Sequence, residues 1–148
     1  MNSEFQECLR KGKIQEFSRG KSIVKKELKT AEKDLIDAKD SFERGKYKWV
    51  TIQFYYSMFH SARALLYVKN YRERSHYCLI VVLRALYVDK KLLSNTLVES
   101  LQKAKALREN ADYYDEWSKE SAESLLKVAE KFLSVSQQLV SSNCNKRG

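Results

Sequence analysis

The sequence predicts an all-α fold, an antiparallel up-and-down bundle of about five main helices. Three observations carry this. The 148 residues contain no proline and four glycines, Gly12, Gly20, Gly45 and Gly148, so little interrupts a helical ladder. Apolar residues recur at spacings of three and four along most of the chain. Alternation with period two is not sustained anywhere, and no Asn-Gly or Asp-Gly hairpin signal occurs. The length suits one domain, residues 1–148, with a leader over residues 1–20 and a tail over residues 142–148 expected to be its mobile parts.

The leader, Ser3 to Phe17, reads as a weakly amphipathic helix that can fray; Gly20 and Ser22 mark a stop and the next cap. The second helix, Ser22 to Glu43, carries Leu28, Ala31, Leu35, Ala38 and Phe42 on one stripe, and Gly45 ends it. The third, Tyr47 to Lys69, is apolar over most of its circumference, which predicts a central position. Trp49, Ile52, Tyr55, Phe59, Ala62 and Leu66 form its main stripe, with Phe54, Met58 and Leu65 beside it. A second stripe on the same helix, Gln53, Tyr56, His60, Arg63, Tyr67 and Asn70, consists wholly of groups that can hydrogen-bond. A basic loop, NYRERS, follows, and Ser75 can cap the compact apolar segment His76 to Val88. The β-branched content of that segment would also suit a strand, but its length and the spacing of Ile80, Leu83 and Tyr87 favour a helix. Thr96 to Glu99 reads as a capping box opening the fifth helix. The last helix, Ser118 to Ser141, presents Leu125, Val128, Phe132, Val135 and Leu139 to the core.

Lysine and arginine exceed the acids by nine. A field of that sign favours an acidic partner, whether nucleic acid, protein or anionic lipid, without choosing among them. Seven basic residues stand against one acid, Glu16, between Arg10 and Lys26; such a run is ordinarily a solvated face and otherwise a contact. Cys8, Cys78 and Cys144 are odd in number and scattered, which predicts neither a disulfide framework nor a thiolate zinc site. With two histidines, no H-E-x-x-H and no pair of close glycines to cradle a phosphate, no metal or cofactor is expected. The polar start MNSEFQECLRKGK is not a signal peptide, and no apolar run approaches the roughly 20 residues that cross a bilayer. The chain therefore reads as cytoplasmic, reduced and soluble, with no membrane partner.

The candidate site begins with an anomaly. Leu97, Leu101, Ala104, Arg108 and Ala111 share one face of the fifth helix, so an always-charged guanidinium sits on a stripe that should be buried. Either Arg108 snorkels along a rim beside an inward Leu107, or it points into a shared groove and pairs there. Asp112 lies one turn on, with Asn110, Tyr113 and Tyr114 nearby. The Gln53–Asn70 stripe is either a packing flank with wet tyrosine tips or the polar wall of a cleft or two-fold seam. On it His60 and Arg63 stand one turn apart, a pair able to hold phosphate or carboxylate. His76, beside Ser75 at a helix start, reads first as a capping or packing residue.

Three stretches together resemble the HEPN superfamily (higher eukaryotes and prokaryotes nucleotide-binding), in its small stand-alone archaeal and bacterial branch. They are the tyrosine-rich helix from Tyr55 to Leu66, Ser75-His76 at the next helix start, and the Arg108 to Tyr113 segment, RENADY. The resemblance covers about Ser22 to Val140. It implies a helical bundle forming a two-fold homodimer, often encoded beside a minimal nucleotidyltransferase as a toxin–antitoxin pair. It also implies that active members are metal-independent RNases, whose arginine steadies phosphate charge and whose histidine, four to six residues later, acts near the ribose 2′-hydroxyl. Here Tyr113, Tyr114 and Asp115 occupy those positions, and a tyrosine of pKa about 10 is a poor base at neutral pH. The expected function is thus a dimeric module that binds RNA or a nucleotide, or docks a nucleotidyltransferase. Its expected site is Arg108, Asn110, Asp112, Tyr113, His60, Arg63, Tyr56 and His76. The alternatives are an RNase acting through Arg108 with Asp112 or Tyr113, and a purely structural helical dimer.

Overall fold

A computed structural model describes residues 2–145. The chain runs α1 (Ser3–Arg10), β1 (Ile14–Glu16), α2 (Gly20–Glu43), α3 (Tyr47–Tyr67), β2 (Tyr71–Glu73), α4 (His76–Leu83), a π-helical turn (Arg84–Val88), α5 (Asn95–Tyr113) and α6 (Lys119–Asn145). It is the all-α up-and-down bundle expected. α3 is the central rod, packed against α2, α6, α5 and α4. Its inward face is broad: Val50, Phe54, Met58, Ala62, Leu65 and Leu66 are fully buried. Serines let α2 approach closely, since buried Ser57 donates to the Ala31 carbonyl at 2.8 Å and Ser61 to the Ser57 carbonyl at 2.9 Å. Trp49, expected on the buried stripe, is instead 52% exposed, because it lies in the first turn of α3 where Val50 takes the inward position. No helix among the described residues is long and apolar enough to cross a membrane.

The leader departs from expectation. Its helix stops at Arg10, Gly12 follows in the left-handed region at φ +69°, and β1 then pairs antiparallel with β2, Ile14 opposite Glu73. The basic loop is therefore partly a strand. Period-two reasoning missed both strands because each has three residues and its partner lies more than 50 residues away. The leader packs: Phe5 and Cys8 are buried, and the Tyr77 hydroxyl donates to Glu4 at 2.6 Å. Cys8 and Cys78 form a disulfide between α1 and α4. That corrects the expectation of reduced, unpaired cysteines; a sequence separation of 70 concealed Cα atoms only 5.9 Å apart.

Helix boundaries shift for local reasons. α2 starts at Gly20 rather than Ser22, and the Ser22 hydroxyl donates to the Arg19 carbonyl at 2.7 Å. The α5 cap is Ser94, whose oxygen accepts from Thr96 N at 3.0 Å, in place of the Thr96–Glu99 box. Ser75 caps α4 as expected, accepting from Cys78 N at 3.1 Å. The π turn carries Asp89 N to the Arg84 carbonyl, and it sets buried Tyr87 to donate to the Leu65 carbonyl at 2.6 Å. α6 persists to Asn145, four residues past the expected end at Ser141, with Asn143 bonding back to the Leu139 carbonyl. The rest of the expected loose tail, residues 146–148, lies outside the described residues.

Candidate functional site

Helical register carries Arg108 inward along the α5 stripe until it meets α3. Its side chain is 18% exposed, and one nitrogen donates to Asp112 Oδ2 at 3.2 Å. The guanidinium carbon lies 5.9 Å from the Tyr55 ring, 5.5 Å from Tyr56 and 5.6 Å from Tyr113, each within cation–π range. Arg108 Nε is buried and has no acceptor among the described residues. The residue thus stands between α3 and α5 against three tyrosine rings, and not in bulk water. Burial pushes the Tyr55 phenol up to about 12, so it remains a neutral donor.

His76 reaches the same cluster from the start of α4, its ring 6.4 Å from that of Tyr55. Neither imidazole nitrogen has a hydrogen-bond partner among the described residues. Burial, followed by the nearby Lys105 charge, lowers its pKa to about 4, so it is a neutral imidazole at pH 7. Asn110 is exposed, and its backbone carbonyl accepts from Tyr114 N and Glu116 N, shaping the turn after α5.

His60 and Arg63 occupy a second cluster, on the other side of Tyr56. His60 Nδ1 sits 2.6 Å from Glu27 Oε2, and Nε2 is 3.7 Å from Asp34. Arg63 meets the same Glu27 oxygen at 3.8 Å and Glu73 at 3.4 Å, while stacking on Phe59 and Tyr67. Burial raises the carboxyl pKa of Glu73, offset in part by Arg63, and raises that of Asp34, offset in part by His60. The anion that the His60/Arg63 pair could hold is therefore supplied by the chain itself. Tyr56 joins the two clusters, its ring 6.3 Å from His60 and facing Arg108 on the other side. Of the expected site residues, Arg108 touches Asp112, Tyr113 and Tyr56, His76 joins them through the Tyr55 ring, and His60 and Arg63 sit in a neighbouring cluster of carboxylates. Sequence reasoning missed Glu27, Asp34 and Glu73; only the seven-residue interval between Glu27 and Asp34, two turns along one face of α2, hinted at them. Among the described residues, no group of three or more His, Cys, Asp or Glu could hold a metal ion.

The family model described as HEPN domain matches residues 24–139, from the first turns of α2 to near the end of α6. The chain belongs to the HEPN family. Similar proteins include "Putative toxin MJ0605" of Methanocaldococcus jannaschii, 34% identical over 107 residues that make up 72% of this chain and 80% of the relative. A UPF0332 protein of Archaeoglobus fulgidus is 35% identical over 118 residues, 78% of this chain and 94% of its own. "Putative toxin MJ0142", also of M. jannaschii, is 31% identical over 134 residues, 88% of this chain and 90% of its own. The HEPN match takes in Arg108, His76, His60 and Arg63 and leaves out α1 and β1. Within that bundle no histidine follows Arg108. A histidine reaches its neighbourhood from α4, through space.

Proposed function

We propose that this HEPN chain is the toxin-type component of a toxin–antitoxin pair and that it binds RNA, or a nucleotide, at the Arg108 cluster. A second copy closes the site across a two-fold seam, and a nucleotidyltransferase is the antitoxin partner. One observation carries the reading: a guanidinium with an unused buried Nε stands among three tyrosine rings. The charge suits a phosphate. The exposed Tyr113 ring and the half-buried Tyr56 ring suit nucleobases, which stack on any aromatic face. The toxin names of two relatives and the net charge of +9 agree with it. The test is a titration of a labelled oligoribonucleotide, followed by anisotropy, with wild type and Arg108→Ala. We expect roughly a tenfold or greater loss of affinity on losing a charge-assisted phosphate contact; equal binding rejects the site. Co-purification with the nucleotidyltransferase tests the partner, and light scattering tests the dimer.

His76 favours a second reading, RNA cleavage without metal. It is neutral and unpartnered, and it shares the Tyr55 ring with Arg108. A pKa of about 4 makes it a weak base, however, and this is why binding leads. Incubation with RNA in EDTA decides: cleavage no faster than in Arg108→Ala and His76→Ala ends this second reading.

A further inference from the structure

The chain has two tryptophans, Trp49 and Trp117, and both are on one hollow. Trp49 belongs to the first turn of α3 and Trp117 to the link between α5 and α6, 68 positions apart in sequence. Gly45, Lys46, Tyr47 and Lys48 complete a hollow of about 320 Å³. The Lys48 ammonium lies 5.5 Å from the Trp49 ring and 5.7 Å from that of Trp117, and Asp115 Oδ1 steadies it at 3.2 Å. The two indoles stay 52% and 45% exposed. Two large aromatics left in water around a fixed cation, with exposed Tyr113 and Tyr114 close to Trp117 in sequence, mark an aromatic surface rather than a packed one.

The hollow is lined by the start of α3 and the link that follows α5, the two helices between which Arg108 lies. Trp49 precedes Tyr56 on α3 by two turns, about 10 Å of helix rise. Tyr113 and Tyr114, 66% and 69% exposed, end α5 between Arg108 and Trp117 in sequence, and Tyr113 lies on the Arg108 guanidinium. Asp115, in the left-handed region at φ +56°, turns the chain so that Trp117 faces Lys48. Lys46 and Lys119 beside it make no ion pair among the described residues. The surface is thus a row of aromatic faces interleaved with cations, the arrangement that holds single-stranded nucleic acid through stacked bases and neutralised phosphates.

We infer that Trp49, Lys48 and Trp117 form a base-stacking subsite for single-stranded RNA, the far end of a track that begins at Arg108. This rests on the RNA reading proposed above. Because the hollow holds both tryptophans of the chain, indole emission excited at wavelengths that tyrosine does not absorb reports on it alone. Oligoribonucleotides of increasing length should quench the emission once they reach from Arg108 to the hollow. The double variant Trp49→Ala/Trp117→Ala should weaken anisotropy-detected binding about 10- to 100-fold, and Trp49→Tyr/Trp117→Tyr should restore most of it. Exposed positions let these variants fold, which circular dichroism checks. RNA that binds in an Arg108-dependent way, without quenching and equally to the double variant, overturns the subsite and leaves the proposed function standing. Absence of RNA binding overturns both. A double variant that binds RNA normally but shifts from dimer to monomer in light scattering makes the hollow a subunit contact and overturns the subsite as well.

Discussion

At Arg108 the cost of placing a charge on a helix's inner stripe is set by what surrounds it. Its single ion pair is with Asp112, whose side chain is 40% exposed, and exposed i,i+4 pairs stabilise by only about 0.3–0.5 kcal/mol. Arg108→Met should therefore change unfolding free energy by less than about 1 kcal/mol, while RNA binding falls as for Arg108→Ala. Urea denaturation beside anisotropy separates the two; a loss of several kcal/mol would make the arginine a structural residue. His76 has the opposite signature. Its folded pKa of about 4 lies below the ordinary 6.5. Between those values the unfolded chain takes up a proton that the folded chain refuses, so stability falls as pH drops from about 6.5 towards 4 and then levels. Lys105 adds to this and Glu109 opposes it. Allowing for partial screening, the loss is on the order of 2 kcal/mol. Glu73 and Asp34, with raised pKa values, contribute in the other direction, so the measurement is the wild-type profile minus that of His76→Leu. A flat difference between pH 7.5 and 4.5 would mean the imidazole is solvated.

Between elements, close approach and capping decide where helices begin. A Cβ added at Gly20 would lie 2.3 Å from the Tyr67 carbonyl oxygen, and neither backbone can yield without prising α2 from α3. Gly20→Ala should cost at least about 2 kcal/mol, read as a lower urea midpoint. The α5 cap makes a sharper test: Ser94→Ala should cost about 1 kcal/mol, whereas Thr96→Ala should cost a few tenths. Equal losses would restore the Thr96 box. These cases mark what the sequence could reveal. The periods of α2, α3, α5 and α6 were legible because each helix buries a stripe set by its own residues. Ends were less legible because Ser94 and Thr96 offer nearly the same oxygen two positions apart, and the fold chooses. The Arg108 anomaly was legible as a broken stripe. The arrival of Tyr55 and His76 beside it was not, since those contacts depend on how α3 and α4 cross α5. Glu27, which engages His60 and Arg63 from α2, was hidden for the same reason.

For the molecule as a whole, the leader decides how firmly the site is framed. α1 packs chiefly on α4, β1 pairs only with β2, and the Cys8–Cys78 bond ties α1 to the helix whose first residue is His76. Nothing in either cysteine's neighbourhood announces this; the bond follows from the β1–β2 pairing, which returns the leader to α4 from the far end of α3. A link across 70 residues removes a large loop from the unfolded ensemble, and such links stabilise by about 2–5 kcal/mol. Reduction, or Cys8→Ser/Cys78→Ser, should lower stability by that amount. The loss should also be uneven. α2, α3 and α6 bury their apolar faces on one another and keep their protection, while the leader is held by Phe5, Leu9 and Ile14, the Tyr77–Glu4 hydrogen bond and two short strands. Hydrogen exchange should therefore show the amides of Ser3–Arg10 and Ile14–Glu16 opening first under a dithiol reductant, with His76 accessible to carbethoxylation in the same step. Uniform deprotection across the bundle would show instead that the leader folds as one unit with the core, and that the disulfide only reinforces a contact already secure.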